Sequence, residues 1–370
     1  MRPVWAEIDL KAIDHNLNEV KRVISPSTDM MAIVKANGYG HGAVQVAERA
    51  VKAGAVYLGV ALLQEAIELR KHGITTPILI LGYTSEEDYK LLVKYQITQG
   101  IYQLTQAEIL NEIAKSQGVK AKVHVKIDTG MGRLGFSVQE SVEAIEKIAK
   151  LSHVELEGVF SHLAMSDAKD KSYTYLQLEK FIKISQKLEQ AGLDIKYKHL
   201  ANSGGIIDLP ETHFNLVRPG IILYGLYPSE EVDRTKIRLK QAMSFKTQIS
   251  YVKEVPKGTS ISYGCTYTTT RTSRIATLPL GYADGYSRLL SNRGMVLVGG
   301  KRVPVVGKIC MDQFMIDVTE VENVKPGDEV VLFGSQGQEF LSVEEIAELI
   351  GTINYEVLCM VSYRVPRRYV

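Results

Sequence analysis

The sequence predicts an α/β chain: an N-terminal (β/α)8 TIM-type barrel followed by a C-terminal, mainly β domain. Three features point there. Eight strand-like runs recur between Met30 and Gly225, with helical or loop segments between them. Strands alternating with helices imply right-handed crossovers and a parallel sheet, and eight such units at this length favour a closed barrel over an open sheet. From about Lys240 the pattern changes to short β-like segments. A chain of 370 residues is also long enough that two domains are the natural expectation.

Val4, Ala6, Ile8 and Leu10 alternate with mostly polar neighbours, so residues 1–10 read as a half-buried strand, free to pack with the C-terminal domain. Leu10, Ile13, Leu17, Val20 and Ile24 follow helical spacing until Pro26. The first barrel strand, Met31 to Val34, runs into Lys35 and a turn with three glycines. The strands Val56–Ala61, Ile78–Leu81, Ile97–Tyr102, Val123–Ile127, Leu156–His162, Ile195–Leu200 and Leu216–Tyr224 follow. Ser85 begins one intervening helix, Thr105 with Glu108 forms a capping box for the next, and Ser137 with Glu140 caps another. The boundary falls within Ser229 to Lys240, giving domains of 1–235 and 236–370. Beyond it, Ser244–Val252, Arg274–Leu280, Met295–Val298, Arg302–Val306, Met315–Val318 and Glu329–Phe333 read as strands, with one helix capped by Ser342 and Glu345.

The bulk numbers exclude several classes. A net charge of +2 gives no basis for binding nucleic acid or an anionic membrane. Three widely spaced cysteines imply no disulfide framework, and no apolar run has the length of a signal core or a membrane span. A cytoplasmic enzyme is the expectation. Nothing matches a metal-ligand cluster, so no metal is expected.

The chemistry should sit at the carboxyl ends of the strands. Lys35 lies there; a lysine against apolar walls becomes a Schiff-base nucleophile, although a solvated strand-end lysine would read the same way. Gly38 to Ala43 matches the dinucleotide pattern, but no acidic residue ends the next strand to take the ribose hydroxyls. Asn202-Ser203-Gly204-Gly205 and Arg218-Pro219-Gly220-Ile221 end the last two strands, where barrels bind phosphate. Ser203 is either a hydroxyl for that phosphate or a helix cap. A phosphate cradle opposite a lysine points to pyridoxal phosphate. Lys126 and Arg133 both reach the mouth and would repel unless one is neutralised. His162 and His199 are either satisfied core residues or catalysts.

These residues also carry a resemblance. VKANGYGHG around Lys35 resembles the cofactor-lysine signature of bacterial alanine racemases, the pyridoxal-phosphate-dependent enzymes of fold type III. KIDTGMGRLGF, the SHL around His162, LANSGG, RPGI with LYG, ISYG, YADGY, CMDQ and Tyr355 are similar to that family in the same order. The resemblance implies a homodimer with active sites shared between one subunit's barrel and the other's β domain. It implies interconversion of L- and D-alanine, through a pyridoxal 5'-phosphate aldimine, for cell-wall peptidoglycan. It implies Lys35 and Tyr263 as the two bases, with Tyr39, Ser203, Gly220, Ile221 and Tyr355 at the phosphate and Asn202 beside the cofactor. Arg218 would face the pyridine nitrogen, linked through His162 towards Tyr263 of the partner subunit. Arg133, and Met311 of the partner subunit, would contact the substrate or the cofactor's phenolic oxygen, and Lys126 would be carbamylated. Tyr263, Tyr282, Tyr355 and Arg288 would narrow the substrate passage; Lys308 stands where many relatives carry arginine, keeping the charge without the bidentate fork. The alternatives are a broader amino-acid racemase, a barrel-plus-β decarboxylase whose triple-glycine phosphate loop is missing here, and a barrel protein of cofactor homeostasis, which would lack the second domain.

Overall fold

A computed structural model of the chain describes residues 2–370. It divides into two compact units: Ala12–Gly38 with Gly42–Lys240, and the residues up to Lys11 with Tyr39–His41 and Gln241–Val370.

Strand β1 (Val4–Ile8) belongs to the second unit. The first unit is a parallel barrel of β2 (Asp29–Ile33), β3 (Tyr57–Val60), β4 (Ile78–Ile80), β5 (Thr98–Ile101), β6 (Ala121–Lys126), β7 (Val154–Phe160), β8 (Tyr197–His199) and β9 (Leu216–Val217). Its eight strands run in the order β8-β7-β6-β5-β4-β3-β2-β9, every neighbouring pair parallel. The Arg218 N–H donates to the Ala201 carbonyl at 3.0 Å, bonding the segment after β9 to the one after β8 and closing the ring. Strands covered on both faces need apolar residues without alternation. β2 accordingly buries Met30 to Ile33, and β4 buries all three of its residues.

The connections are α1 (Leu10–Val23), which precedes β2, then α2 (Ala43–Lys52), α3 (Leu63–Lys71), α4 (Tyr89–Lys94), α5 (Leu104–Ser116), α6 (Ser141–Ala149), α7 (Ser172–Gln190) and the short α8 (Ser203–Asp208). Three expectations need correction here. Helix α5 opens on Gln103 rather than Thr105: Gln106 Oε1 accepts from the N–H groups of Gln103 and Tyr102 at 3.1 and 3.0 Å. A glutamine pair at the same three-residue spacing forms the box one turn-fraction earlier, which leaves Thr105 inside the first turn. The eighth strand is also shorter than predicted. Pro219 has no N–H for a ladder, and after β9 the chain turns into a 3-10 helix at Ile221–Tyr224. Ser137 accepts from the Glu140 N–H at 3.3 Å, but α6 itself has Glu140 at its cap position with no side-chain cap bond, so Ser137 does not cap the helix.

The second unit holds β10 (Met243–Gln248), β11 (Tyr251–Val255), β12 (Ser260–Ile261), β13 (Tyr267–Thr268), β14 (Ser273–Leu278), β15 (Met295–Val298), β16 (Lys301–Val306), β17 (Phe314–Asp317), β18 (Glu329–Gln336), β19 (Glu339–Leu341) and β20 (Arg367–Tyr369). The main sheet runs β11-β14-β17-β16-β15-β18-β10-β1-β20, with β19 on β18 and β12–β13 a separate pair. The run Ser244–Val252 is thus two strands. At the break the backbone changes partners, Ile249 N–H going to Asp328 and Ser250 N–H to Thr277. Ser342 and Glu345 cap α9 (Val343–Ile350) as expected. A further helix, α10 (Asn354–Met360), was not legible, being a single apolar-and-polar stretch too short for periodicity. Among the described residues no helix is long and apolar enough to cross a membrane.

Asp284, with no exposed surface, ties this unit together. It accepts from the Gly281 N–H at 3.0 Å and from both terminal nitrogens of Arg2, and the Arg364 Nε lies 3.6 Å away. Removing one partner of a buried ion pair is costly because it strands the other charge. Arg2 is 30% exposed and recovers some hydration. Asp284→Ala should therefore lower the unfolding free energy by about 2–3 kcal/mol, at the lower edge of the buried-pair range, read by urea denaturation; a loss near zero would mean that the pair does not stabilise the unit.

Candidate active site

Lys35 stands at the carboxyl end of β2, where the Ile33 N–H donates to the Pro219 carbonyl at 3.0 Å and sets this strand beside Arg218-Pro219-Gly220. The turn after Lys35 is left-handed: Ala36 (φ 52°, ψ 50°), Asn37 (φ 53°, ψ 47°) and Gly38 (φ 60°, ψ 47°), then Tyr39 at φ 50°. Each L-residue costs roughly 1–2 kcal/mol there. Side chains hold the strain. Glu65 accepts from the Ala36 N–H at 2.6 Å and, on its other oxygen, from Ala61 and Leu62 at 2.8 and 3.1 Å. Asn37 Oδ1 accepts from the Ala43 N–H at 3.0 Å.

The barrel mouth is cationic. Arg218 is buried and donates from Nη1 to the His199 carbonyl and His199 Nδ1, both at 2.9 Å. Its Nη2 donates to the carbonyls of Ser161 (2.7 Å) and Leu200 (2.9 Å) and to His162 Nδ1 (3.3 Å). Nε is the one guanidinium nitrogen with no protein acceptor among the described residues. Burial pulls the Arg218 pKa down to about 9, which leaves it charged at pH 7. Lys126 is buried too, 5.3 Å from the centre of the Phe160 ring, whose other neighbours are the Arg218 guanidinium at 5.8 Å and the stacked His199 at 4.8 Å. Burial first, then the charges of Arg133, Arg218 and Lys35, lower the Lys126 pKa to about 8. His162 is pushed well below its ordinary range by burial and then by Arg218, Arg133, Lys126 and Lys35, so it is a neutral imidazole.

KIDTGMGRLGF folds into a compact loop that carries Arg133, exposed, at its tip. Asp128 Oδ1 accepts from the N–H groups of Gly130 and Gly132, and Lys126 and Phe136 pair through the backbone. The structure thus brings Lys35, Lys126, Arg133, His162 and Arg218 into one mouth.

At the adjoining rim, Ser203 Oγ accepts from the Gly220 N–H at 3.0 Å, joining the loops after β8 and β9. The cap of α8 is Asn202, not Ser203: its Oδ1 accepts from Gly205 at 3.1 Å and from Ser166 Oγ at 2.6 Å, and its amide donates to Leu163. The Ser203 hydroxyl, which can still donate its hydrogen, and the Ile221 N–H are the groups left to meet a ligand, with Gly220 between them.

In the second unit, the rings of Tyr39 and Tyr355 lie 6.1 Å apart. Tyr263 is 72% exposed on a strained loop. Ser262 (φ 66°, ψ −178°) occupies a region that glycine alone enters easily. Its Oγ donates to the Lys308 carbonyl at 2.6 Å and lies 3.7 Å from Cys310 Sγ, which sets the Tyr263 and Met311 loops side by side. The Met311 loop is in turn bonded to Tyr282 and Ala283, against Gly281, where a Cβ would come 2.0 Å from the Cys310 carbonyl.

Sequence reasoning missed Glu65, His124 and Glu157. For Glu157 a signal existed: an acid inside a parallel strand is costly unless partnered.

A barrel whose mouth gathers two lysines and two arginines around a neutral histidine is suited to an anionic ligand. The comparisons narrow the class. Residues 8–228 match the family model "Alanine racemase, N-terminal domain" and residues 242–369 match "Alanine racemase, C-terminal domain". The chain is 53% identical over 368 residues to an alanine racemase of Methanococcus maripaludis, covering 99% of this chain and 98% of that one. It is similar in structure to the alanine racemase of Clostridium difficile 630, with TM-score 0.96, 47% identity and coverage of 100% and 96%. A Bacillus anthracis alanine racemase solved with bound L-Ala-P gives TM-score 0.94 at 39% identity, covering 100% and 95%. The chain belongs to the alanine racemase family, a family of isomerases.

Ala36 is exposed, so a change there acts through the backbone alone. Ala36→Gly should be tolerated or stabilising, whereas Ala36→Val, β-branched in a left-handed turn, should cost roughly 1–2 kcal/mol. Paired urea unfolding curves check this; equal stability of the two variants would contradict the strain.

Proposed function

We propose that the protein interconverts L- and D-alanine by a two-base mechanism with pyridoxal 5'-phosphate held on Lys35. The observation that carries this reading is the open Nε–H of Arg218 in a mouth crowded with Lys35, Lys126 and Arg133. Those groups fit an anionic cofactor with a ring nitrogen: a lysine to hold it, the Ser203 hydroxyl and the Ile221 amide, with Gly220 between them, to meet a phosphate, and a single fixed donor for the nitrogen. The family resemblance adds Tyr39 and Tyr355 to that phosphate set, and puts Arg133 with Met311 of the partner subunit at the substrate or the cofactor's phenolic oxygen. When bound, the cofactor supplies an electron sink for the pair left as the Cα–H bond breaks. The Lys35 amine takes or returns the Cα proton on one face. The phenolic oxygen of Tyr263, from the partner subunit of a homodimer, does the same on the other face. High exposure of Tyr263 and Met311 supports a surface that a second copy covers. Arg218, charged and a donor only, keeps the ring nitrogen from taking a proton. D-alanine so formed would serve peptidoglycan assembly in the cytoplasm. The family match sets the decarboxylase alternative aside.

Lys126 is suited to carbamylation. With its pKa near 8, a sizeable neutral-amine fraction exists at mildly alkaline pH; the amine attacks carbon dioxide, forms the N–C bond and releases a proton. The carbamate then accepts hydrogen bonds from Arg133. Because the reactive form is the free amine, modification should increase as pH rises through about 8. Carbon-13 NMR after exchange into labelled bicarbonate should show a carbamate signal that Lys126→Arg lacks; no signal at pH 9 would refute it.

Two measurements test the main reading. Borohydride reduction and peptide mapping should place the pyridoxyl group on Lys35. Tyr263→Phe should slow racemisation at least ~10²-fold, the scale of one general acid–base group, while still exchanging the α-proton of D-alanine in deuterated water far faster than that of L-alanine. Equal exchange from both enantiomers, followed by proton NMR, would end the two-base scheme.

A further inference from the structure

Behind Arg218, inside the barrel, runs a line of polar side chains that touch no reacting group. Arg218 Nη1 is 2.9 Å from His199 Nδ1, and His199 Nε2 is 2.8 Å from His124 Nδ1. His124 Nε2 is 3.8 Å from Glu157 Oε2. Both histidines have no exposed surface, and Arg218 and Glu157 are buried.

The proton positions follow from donor chemistry. A guanidinium only donates, so His199 Nδ1 accepts. Burial holds both imidazoles below their ordinary pKa, so each carries one hydrogen. That of His199 is therefore on Nε2 and is donated to His124 Nδ1; that of His124 is on Nε2 and faces Glu157. The donors point one way, from cation to anion, the last of them facing the carboxylate across 3.8 Å as an electrostatic contact and not a hydrogen bond.

Its far end is an ionised carboxylate. Tyr57 OH donates to one Glu157 oxygen, and Lys122 and Lys196 lie 3.0 and 3.5 Å from the other. Burial pushes the Glu157 carboxyl up, but the neighbouring His124 and the hydrogen bonds from Tyr57 and Lys122 outweigh it and hold the group below the usual range.

The strands are shaped around this line. Gly158 stands opposite His124 on the neighbouring strand, and a Cβ there would lie 2.5 Å from His124 Nδ1. The β6–β7 register shifts between Val123 and His124, and Phe160 stacks on His199 with the planes 2° apart. A carboxylate set directly against Arg218 would take its donors as a bidentate pair. Two neutral imidazoles between them give the buried cation a counter-charge and leave Nε–H open.

We propose that Glu157 is a positioning residue for Arg218: acting through His124 and His199, its carboxylate fixes both imidazole tautomers and holds the guanidinium as an oriented donor towards the cofactor's ring nitrogen. The last step rests on the cofactor reading above; the tautomer chain does not.

Nitrogen-15 spectra of histidine-labelled protein test it, with His124→Asn for assignment. In the unsubstituted protein, His124 and His199 should both show the Nε2–H tautomer. Glu157→Gln puts an amide that also donates against His124, so the resonances of His199, which Glu157 does not touch, should move as well. Turnover should fall roughly tenfold, the lower scale for losing an outer hydrogen-bond partner of a site ligand, with KM unchanged. An Nδ1–H tautomer at His199, or His199 resonances unmoved by Glu157→Gln, overturns the proposal. If that variant does not fold, Tyr57→Phe replaces it: a carboxylate with one donor fewer pulls harder on His124, so the His199 resonances should move in the opposite sense, and unmoved resonances again overturn it. The spectra report the chain whatever the mouth binds, so borohydride labelling of Lys35 on the same samples separates failure of this proposal from failure of the cofactor assignment.

Discussion

A guanidinium without water is the constraint on which the barrel's working end depends. Arg218 is buried, and an unsatisfied buried charge is prohibitively costly. Its two terminal nitrogens are saturated by the carbonyls of Ser161, His199 and Leu200 and by two imidazoles. Those carbonyls lie at the ends of β7 and β8, and the Arg218 backbone closes the barrel onto Ala201. One side chain thereby sets the spacing of three strand ends, and with it the positions of His162, Ser203 and Gly220. The same saturation leaves Nε as the free direction. Stability and chemistry are met by one residue because all five barrel acceptors fall on the two terminal nitrogens and Nε is left over.

The cationic mouth follows from that choice. Lys126 and Arg218 both lie close to the Phe160 ring centre, at 5.3 and 5.8 Å, and Lys35 and Arg133 add to the field that keeps His162 neutral. Crowded cations in a low-dielectric site raise one another's energy, which an anionic ligand relieves. The second unit uses the inverse device: the buried anion Asp284 gathers Arg2, Arg364 and the Gly281 turn, and so holds the Tyr282 and Met311 loops. Near Tyr263 the scaffold stores strain at Ser262, anchored to Lys308, just as it does after Lys35. Strain at both positions lets short loops present a side chain that relaxed turns would aim elsewhere.

Much of this was legible from the chain. The eight apolar runs predicted the barrel because a strand covered on both faces has no polar option. Lys35, Lys126, His162, Arg218 and Ser203 stood out because they end such runs. Boundaries suffered where two equivalent signals competed, as with Gln103–Gln106 against Thr105–Glu108, or where proline and glycine cut a run that hydrophobicity alone would continue past Val217. Glu157 was passed over, though an acid between apolar strand residues should have prompted a search for its partners.

By itself the sequence determined the order and type of the elements, because periodicity and capping are local, and it determined family membership, because motifs spread over the whole chain keep their order. Only the tertiary structure decided which polar groups share a partner. His124, Glu157, His199 and Arg218 stand as many as 94 residues apart, from His124 to Arg218, yet stand in one line, Arg218, His199 and His124 joined by hydrogen bonds and Glu157 facing His124 Nε2 at 3.8 Å. Proton positions in that line depend on which atom faces which, and the left-handed turn after Lys35 depends on Glu65 reaching it from another helix. Such facts are distances between residues remote in the chain, and barrel closure alone sets those distances.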